Sequence, residues 1–274
     1  MLRLRRLVCM SGLLWLCTSA ALAKEDCAKP TSMGWAVADI RELPAELYVQ
    51  GFAIRGGRWY LSGGGYGQSQ VQVLPAPGQP WRSLKQSLHP RLFAEGLGLY
   101  EDSLWLLTWR AGRVLVLDAN TLELQHQHRY SGQGWGLDWD PDEQAWVMSD
   151  GSNTLRWRSA ADFSVRKELK VFNQRRPVTR LNELEHTAQG LWANQWQEDQ
   201  LLLIDTNTGC VRSRLDLSTL WPSAERPPRA EVLNGIALDR SSGLLWVTGK
   251  FWGRAFGLNL TQPSSPEPDG ISRK

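Results

Sequence analysis

The stretch LNELEHTAQGLWANQWQEDQLLLIDTNTG, from Leu181 to Gly209, indicates how the whole chain folds. Apolar and polar residues alternate from Leu191 to Trp196, and a second apolar run from Leu201 to Ile204 ends in a turn at 205–209. Short alternating segments separated by polar turns every eight to ten residues or so are typical of antiparallel β-sheet. This stretch therefore predicts consecutive strands joined by tight turns.

The same pattern occurs four more times along the chain. Each of the five units has a short strand, a polar turn and a second strand with an aromatic residue near its centre. The units cover residues 51–63, 96–109, 136–151, 183–196 and 235–250. A third strand follows each unit, and a fourth follows most of them. Four short antiparallel strands repeated at a period of roughly 40–50 residues predict an all-β, five-bladed β-propeller.

The fifth unit has no fourth strand of its own, because the chain after Leu260 is rich in Pro, Ser and Gly. The alternating segment Trp35–Ile40 is the natural substitute, so we expect this N-terminal strand to close the propeller by pairing its first and last blades. Two separate β-sandwiches are the alternative, but no linker interrupts the repeat. Helix is expected only as single turns within 80–87 and 216–225.

The two ends of the chain differ from the repeated region. Residues 1–23 combine a basic start, an apolar run and the ending Ala21-Leu22-Ala23, which together are typical of a signal peptide. The apolar run is too short to favour a membrane span. We therefore expect export to a periplasm or to the outside. An irregular segment at 24–34, the propeller domain at 35–260 and a disordered tail at 261–274 would then follow.

Charge and cysteine content narrow the function. The predicted leader holds three of the 31 Lys and Arg residues and none of the 28 acidic ones, so the mature chain carries 28 of each sign. This balance gives no reason to expect nucleic-acid or anionic-membrane binding. Outside the leader only Cys27 and Cys210 remain. An oxidising compartment permits a disulfide between them, with two buried free thiols as the alternative.

A polar residue stands at or near the start of each unit. These residues are Gln50, Glu95, Gln133, Asn182 and Asn234. The first strands of propeller blades converge on the axis, so the five side chains should meet at one mouth, although each could instead satisfy backbone groups at a strand start. Glu95 differs because Phe93, Ala94 and Leu97 surround it. Burial there would raise the pKa of its carboxyl group toward a value useful for proton transfer.

The remaining candidates lie at the other ends of the hairpins. Trp109, Trp196 and Lys250 end second strands, and Trp135 precedes a first strand. Packing between blades is the alternative for the tryptophans, and a solvated rim charge is the alternative for Lys250. The four histidines, at positions 89, 126, 128 and 186, lack the spacing of metal ligands. The sequence contains no phosphate-binding loop and no G-x-S-x-G nucleophile motif.

Seven motifs in a fixed order connect the chain to a known family. They are Phe93-Ala94-Glu95-Gly96-Leu97, Leu107-Thr108-Trp109, Gly134-Trp135-Gly136-Leu137, Leu181-Asn182-Glu183-Leu184-Glu185, Ala193-Asn194-Gln195-Trp196, Val232-Leu233-Asn234-Gly235-Ile236-Ala237 and Val247-Thr248-Gly249-Lys250-Phe251-Trp252. This order, which extends from Val49 to Leu260, resembles the plant and bacterial glutaminyl-peptide cyclotransferases, also called glutamine cyclotransferases.

The resemblance implies a five-bladed catalytic domain that converts the N-terminal glutamine of peptides or proteins to pyroglutamate and releases ammonia. It also implies that Glu95 is the acid–base group and that Asn182 and Lys250 hold the amide oxygen. Gln50 would bind polar groups of the substrate. The expected side-chain wall consists of Tyr48, Phe93, Trp109, Trp135 and Trp196. No cofactor is implied for catalysis, a structural calcium ion lacks support in the sequence, and we expect a monomer with no membrane anchor after leader cleavage.

The chain departs from the family pattern at four positions. Leu61 and Gln133 replace acids, Gly253 stands where Pro is common, and Tyr48 replaces Phe. Glu95, Asn182 and Lys250 are retained. Two other functions remain as alternatives: a non-catalytic propeller that binds peptides or a cell-envelope partner, and a metal-dependent propeller hydrolase such as a lactonase.

Overall fold

The computed structural model describes residues 27–75 and 83–261, and nearly all regular structure in it is β-strand. A long strand, β1 (Thr31–Glu42), comes first. One four-stranded antiparallel sheet then contains β2 (Val49–Arg55), β3 (Arg58–Gly63), β4 (Gln70–Pro75) and β5 (Leu84–Ser87). The next contains β6 (Ala94–Tyr100), β7 (Ser103–Thr108), β8 (Arg113–Asp118) and β9 (Leu124–Arg129).

The second half repeats this arrangement. A third four-stranded sheet contains β10 (Leu137–Asp140), β11 (Ala145–Met148), β12 (Thr154–Arg158) and β13 (Val165–Lys170). A two-stranded ribbon, β14 (Phe172–Asn173) and β15 (Arg176–Pro177), follows it. Next come β16 (Leu181–Thr187), β17 (Gly190–Gln195), β18 (Gln200–Ile204) and β19 (Val211–Asp216). The last strands are β20 (Leu233–Leu238), β21 (Leu245–Gly249) and β22 (Arg254–Thr261).

An eight-stranded sheet joins the last two units, in the order β16-β17-β18-β19-β1-β22-β21-β20. β1 is antiparallel to β22, so the predicted pairing of the N-terminal strand with the last unit is confirmed. Its other neighbour is β19, to which it is parallel, rather than the first unit. The first unit already has its own fourth strand, β5, on the edge where β1 was expected. The outer edge of β19, opposite β18, is instead available for pairing with β1.

The N-terminal segment is more regular than the sequence indicates. β1 begins at Thr31 rather than at Trp35, because residues 31–33 pair with residues 213–215 of β19. A disulfide between Cys27 and Cys210, with Cα atoms 5.4 Å apart, fixes this segment to the start of β19. The expectation of irregular structure at 24–34 is therefore wrong for residues 31–34.

Neighbouring sheets are held close together at their first strands. β2 contacts β6, β6 contacts β10, β10 contacts β16, β16 contacts β20, and β20 contacts β2. Glycine makes this approach possible: a Cβ added to Gly96 would lie 2.5 Å from the Trp135 carbonyl oxygen, and one added to Gly136 would lie 2.1 Å from that of Asn182. The strands next to this contact are apolar on both faces, as in Leu104–Leu107, because sheets cover them from both sides.

Of the two predicted helical turns, the one within 216–225 is confirmed and the one within 80–87 is wrong for residues 84–87. Residues 84–87 form strand β5, paired with β4, and a single 3-10 turn covers Ser223–Glu225. Within the part of the chain that the structure describes, no helix is long and apolar enough to cross a membrane. The predicted signal peptide at 1–23 and nearly all of the predicted tail at 261–274 lie outside the described residues.

Candidate active site

One cavity of about 210 Å³ brings together all nine residues that the sequence analysis assigned to the site. Its lining consists of Tyr48, Gln50, Phe93, Glu95, Trp109, Trp135, Asn182, Trp196 and Lys250. These residues come from all five repeated units and span about 200 positions of sequence. They meet because each lies at the same end of its hairpin, at or just before a first strand or directly after a second strand.

Four of the five first strands carry a β-bulge at this end. The strand register shifts between Val49 and Gly51, between Ala94 and Leu97, between Leu181 and Leu184, and between Leu233 and Ile236. A bulge adds a residue to one strand and redirects its side chain, and such features are common next to active sites. The residues inside these bulges include four of the recurrent polar residues: Gln50, Glu95, Asn182 and Asn234.

The polar groups form a buried floor. Gln50, Glu95, Asn182 and Lys250 are each at most 5% exposed. Burial raises the pKa of the Glu95 carboxyl group well above its usual value, and the charge of Lys250 opposes this shift. Burial lowers the pKa of Lys250, while Glu95 and Glu231 oppose the decrease. The site therefore contains an acid that is weaker than usual beside an ammonium group that loses its proton more easily than usual.

Half-buried aromatic rings form the wall. The Tyr48 and Phe93 ring centres are 6.4 Å apart, those of Phe93 and Trp109 are 5.4 Å apart, and those of Trp135 and Trp196 are 5.7 Å apart. Gln133 links the two halves of this wall: its Oε1 accepts hydrogen bonds from the indole N–H of Trp109 (2.7 Å) and of Trp135 (3.2 Å).

Only three of the five recurrent polar residues line the cavity. Gln50, Glu95 and Asn182 line the cavity, whereas Gln133 supports the wall from outside and Asn234 is fully buried behind Asn182. Two features of the site were not predicted from the sequence: Gln133 bridges two tryptophans, and Glu231 acts electrostatically on Tyr48 and Lys250. The clue available for Gln133 was its position directly before the Gly134-Trp135 motif.

The acidic residues beside Asn182 have different surroundings. Glu183 is fully buried, and its Oε2 accepts the backbone N–H of Phe52 at 2.6 Å, which connects two sheets. Glu185 is 7% exposed, and burial raises the pKa of both carboxyl groups well above the usual value. The contact of Glu183 with a second sheet and the burial of Glu185 agree with a structural role for these residues.

One group of possible metal ligands lies outside the cavity. Oxygen atoms of Asp140 and Asp142 and a ring nitrogen of His186 lie within 4.8 Å of one another. Asp140 already accepts the Trp157 indole N–H at 2.7 Å and the backbone N–H groups of Asp142 and Glu143. Protein donors thus already surround this carboxylate, and the group needs no ion to explain it.

The chain is similar to known glutamine cyclotransferases. The family model described as glutamine cyclotransferase matches residues 9–260. The chain is 29% identical over 233 residues to a glutaminyl-peptide cyclotransferase of Arabidopsis thaliana, covering 84% of this chain and 72% of that protein. It also resembles the crystal structure of Myxococcus xanthus glutaminyl cyclase, with a TM-score of 0.74 and 29% identity over 85% of this chain and 98% of that one.

A more distant structure shares the fold alone. It is a Bacteroides thetaiotaomicron protein of unknown function, with a TM-score of 0.54, 14% identity and coverage of 85% of this chain and 70% of that one. The family model spans most of the chain and includes every residue of the cavity. The chain therefore belongs to the glutamine cyclotransferase family.

Proposed function

We propose that this protein converts the N-terminal glutamine of peptides or proteins to pyroglutamate and releases ammonia. The observation that carries the proposal is the single cavity lined by all nine residues that the family resemblance implied. Its dimensions and its aromatic wall suit one uncharged side chain better than an extended polymer.

Glu95 is the proposed acid–base group. The substrate's α-amine attacks its own γ-carboxamide carbon, so a C–N bond forms while the bond to the side-chain nitrogen breaks. The Glu95 carboxylate takes the proton from the amine and returns it to the departing nitrogen, which leaves as ammonia. A raised carboxyl pKa suits this shuttle, because proton transfer is most efficient when donor and acceptor pKa values are close.

Lys250 is the proposed stabiliser of the oxyanion that develops on the carboxamide oxygen. Its side chain is buried beside the Tyr48 ring, where a positive charge acts more strongly than it would in water. The aromatic wall excludes water and holds the substrate side chain in a folded conformation. Ring closure then benefits from the high effective concentration of an oriented intramolecular nucleophile.

The fold proposed for this enzyme is a five-bladed β-propeller closed by the N-terminal strand. Its support is the set of five antiparallel hairpins whose first strands contact each other in a cycle, together with the pairing of β1 and β22. We also propose that the protein is exported as a monomer and needs no cofactor. Support for export comes from the Cys27–Cys210 disulfide, since such bonds persist mainly in oxidising compartments.

The direct test is incubation of the purified protein with a Gln-initiated peptide, followed by measurement of ammonia and of pyroglutamate by mass spectrometry. We expect turnover that persists in EDTA and falls by about 10²–10⁴ in Glu95→Gln. Glu101→Gln is the matched control, because Glu101 is exposed at the opposite end of the same hairpin.

Two outcomes would favour the other functions. A folded protein that binds the peptide without releasing ammonia would be a non-catalytic binding propeller. Activity that disappears with EDTA and returns with added metal would support a metal-dependent hydrolase.

A further inference from the structure

A groove of about 850 Å³ lies between β5 of the first sheet and strands β8 and β9 of the second. The loop that carries Phe93 into the cavity also supplies Arg91 and Leu92 to the groove, and the turn that begins at Trp109 supplies Ala111. The Trp109 N–H donates to the Phe93 carbonyl oxygen at 2.9 Å, which joins the two segments. The groove and the cavity therefore adjoin each other at the same end of the second sheet.

Two arginines face this groove from directly opposite positions on neighbouring strands. Arg113 begins β8, Arg129 ends β9, and the two are partners in the strand register. Both line the groove. Neither forms an ion pair with an acidic side chain in the part of the chain that the structure describes. Because like charges at directly opposite positions destabilise a sheet, this pair costs stability and leaves two positive charges for an anion.

The charge at this end of the groove is of one sign. Arg91 is exposed in the first segment, and Arg110 covers the cavity tryptophan, with its guanidinium carbon 3.9 Å from the centre of the Trp109 ring. Among the described residues that line the groove, the one acid is Glu123. It lies six positions before Arg129, which is roughly 20 Å along an extended strand. The end of the groove nearest the cavity is therefore basic.

The arginine pair is within reach of a substrate that occupies the cavity. The cavity of about 210 Å³ suits one side chain, so the rest of a peptide must lie outside it. Arg113 is four positions from Trp109, and their Cα atoms can therefore be separated by no more than about 14 Å. An extended peptide covers this distance with about four residues. A peptide whose N-terminal glutamine fills the cavity can thus place its fourth to sixth residues beside the pair.

We propose that this groove binds the segment of the substrate that follows the N-terminal glutamine, and that Arg113 and Arg129 favour acidic side chains at its fourth to sixth residues. The inference rests on the proposed cyclisation and names its substrate class, which is peptides or proteins with an acidic N-terminal region. Carboxylates of the substrate form charge-assisted hydrogen bonds with both guanidinium groups and offset the repulsion between them.

The test compares two Gln-initiated peptides that differ only at the fourth, fifth and sixth residues, which are Glu in one peptide and Gln in the other. Only the N-terminal glutamine has the free α-amine that cyclisation needs, so each peptide releases one ammonia molecule. At low ionic strength we expect kcat/KM of the acidic peptide to exceed that of the neutral peptide about three- to tenfold, since each exposed charge pair is weak. About 0.5 M salt should abolish the difference.

Variants at Arg129 test the pair itself. Arg129→Gln should lower the ratio of the two kcat/KM values toward one. Arg129→Glu places an acid opposite Arg113, so the preference should be lost while the melting temperature rises, because opposite charges replace like charges. Arg166→Gln is the matched control: it removes an exposed arginine from β13, the outer strand of the third sheet, and should leave the ratio unchanged.

The inference is overturned if the wild type turns over both peptides equally at low salt. It is also overturned if Arg166→Gln lowers the ratio as much as Arg129→Gln, because net charge alone would then explain the preference. Arg113→Gln carries the test if the Arg129 variants fail to fold, as judged by thermal unfolding.

Calorimetric titration of both peptides into Glu95→Gln separates the groove from the chemistry. Tighter binding of the acidic peptide without ammonia release by the wild type would reject the cyclisation and retain the groove assignment. Equal turnover of both peptides by the wild type would reject the groove assignment and retain the cyclisation.

Discussion

The Lys250 ammonium nitrogen lies 3.5 Å from the Tyr48 hydroxyl oxygen and 4.5 Å from the centre of the Tyr48 ring. Burial, together with the nearby Glu231 charge, raises the pKa of Tyr48 to about 12. The phenol therefore stays neutral and its oxygen can accept from the ammonium group. Both the hydroxyl and the ring stabilise the charged form of Lys250, which burial otherwise disfavours.

Tyr48→Phe should retain catalysis but move the alkaline limb of the kcat/KM profile to lower pH. Loss of this long hydrogen bond would remove a partner of the charged form and so lower the pKa of Lys250 further. The measurement is the rate of ammonia release across the alkaline range, with Tyr66→Phe, an exposed tyrosine near the cavity rim, as the control. An unchanged alkaline limb would mean that Lys250 is not the group that titrates there.

The acid limb should report Glu95. In the proposed mechanism the Glu95 carboxylate takes the proton from the substrate amine, so kcat/KM should rise as pH increases through a midpoint above the ordinary value of 4.5. Lys250→Met removes the charge that opposes the shift. The titration of Glu95, followed by the infrared absorption of its carboxyl group, should then move to still higher pH. An acid limb centred at or below 4.5 would exclude Glu95 as the essential base.

Gln133→Ala should raise KM about tenfold with a smaller effect on kcat, because both tryptophans lose the acceptor that holds their indole N–H groups. Steady-state kinetics with a Gln-initiated peptide measures this. Gln127→Ala, on the outer strand β9, is the control. If KM were unchanged, the wall would be held by ring packing alone.

Replacing both Cys27 and Cys210 by serine should lower the melting temperature without lowering activity at moderate temperature. The bond closes a loop over 183 positions, for which chain entropy gives an upper estimate of about 5 kcal/mol. That corresponds to a decrease of roughly 10 °C or more for a domain of this size. Dithiothreitol should reproduce the decrease in the wild-type protein and have no effect on the double variant.

Asp138→Asn should become progressively more stable than the wild type as pH rises from about 4 to 7, with no further gain above 7. Burial raises the pKa of Asp138 to about 7 from 3.8, so the folded state binds more protons than the unfolded state in this window. The contribution of Asp138 to the free energy of unfolding of the wild type therefore decreases as pH rises through this window. Melting temperatures with a chelator present measure the difference, since a bound cation would mask it.

Asp118→Asn should show the opposite trend. Backbone N–H groups of Asn120 and Thr121 lower the pKa of Asp118, so its contribution is present at neutral pH and lost on acidification. Parallel curves for the two variants would show that at least one of the two carboxyl groups does not titrate as its surroundings indicate.

Much of the fold could be predicted because strands and tight turns depend on residues that are close together in the sequence. Strand alternation and turn residues predicted the first hairpin of each of the five units, and the missing fourth strand of the last unit predicted the pairing of β1 with β22. The β14–β15 ribbon and strand β5 were not predicted. The parallel pairing with β19 could not be foreseen. It depends on which sheet edge is left open, which is a property of the assembled chain.

The membership of the site was predictable, but the orientation of its groups was not. Repetition of a polar residue at each strand start placed Gln50, Glu95 and Asn182 at one mouth. The amide of Asn182 donates to Oδ1 of Asn234, and the amide of Asn234 donates to the carbonyl oxygen of Val49, which lies 133 positions from Asn182 in the sequence. Contacts between residues so far apart cannot be predicted from the local pattern. The bulges that turn these side chains inward likewise leave no distinct pattern in the residues.

The pairing of β1 has a consequence for the order in which the molecule assembles. Its partners in β22 lie about 220 positions further along the chain, and its disulfide partner lies 183 positions away. During synthesis, the earlier hairpins can form as they emerge from the ribosome, but β1 lacks one of its two neighbours until β22 has been made. A chain truncated before β22 would leave β1 and β21 each with an unpaired edge, and such edges are sites at which separate chains can pair and aggregate.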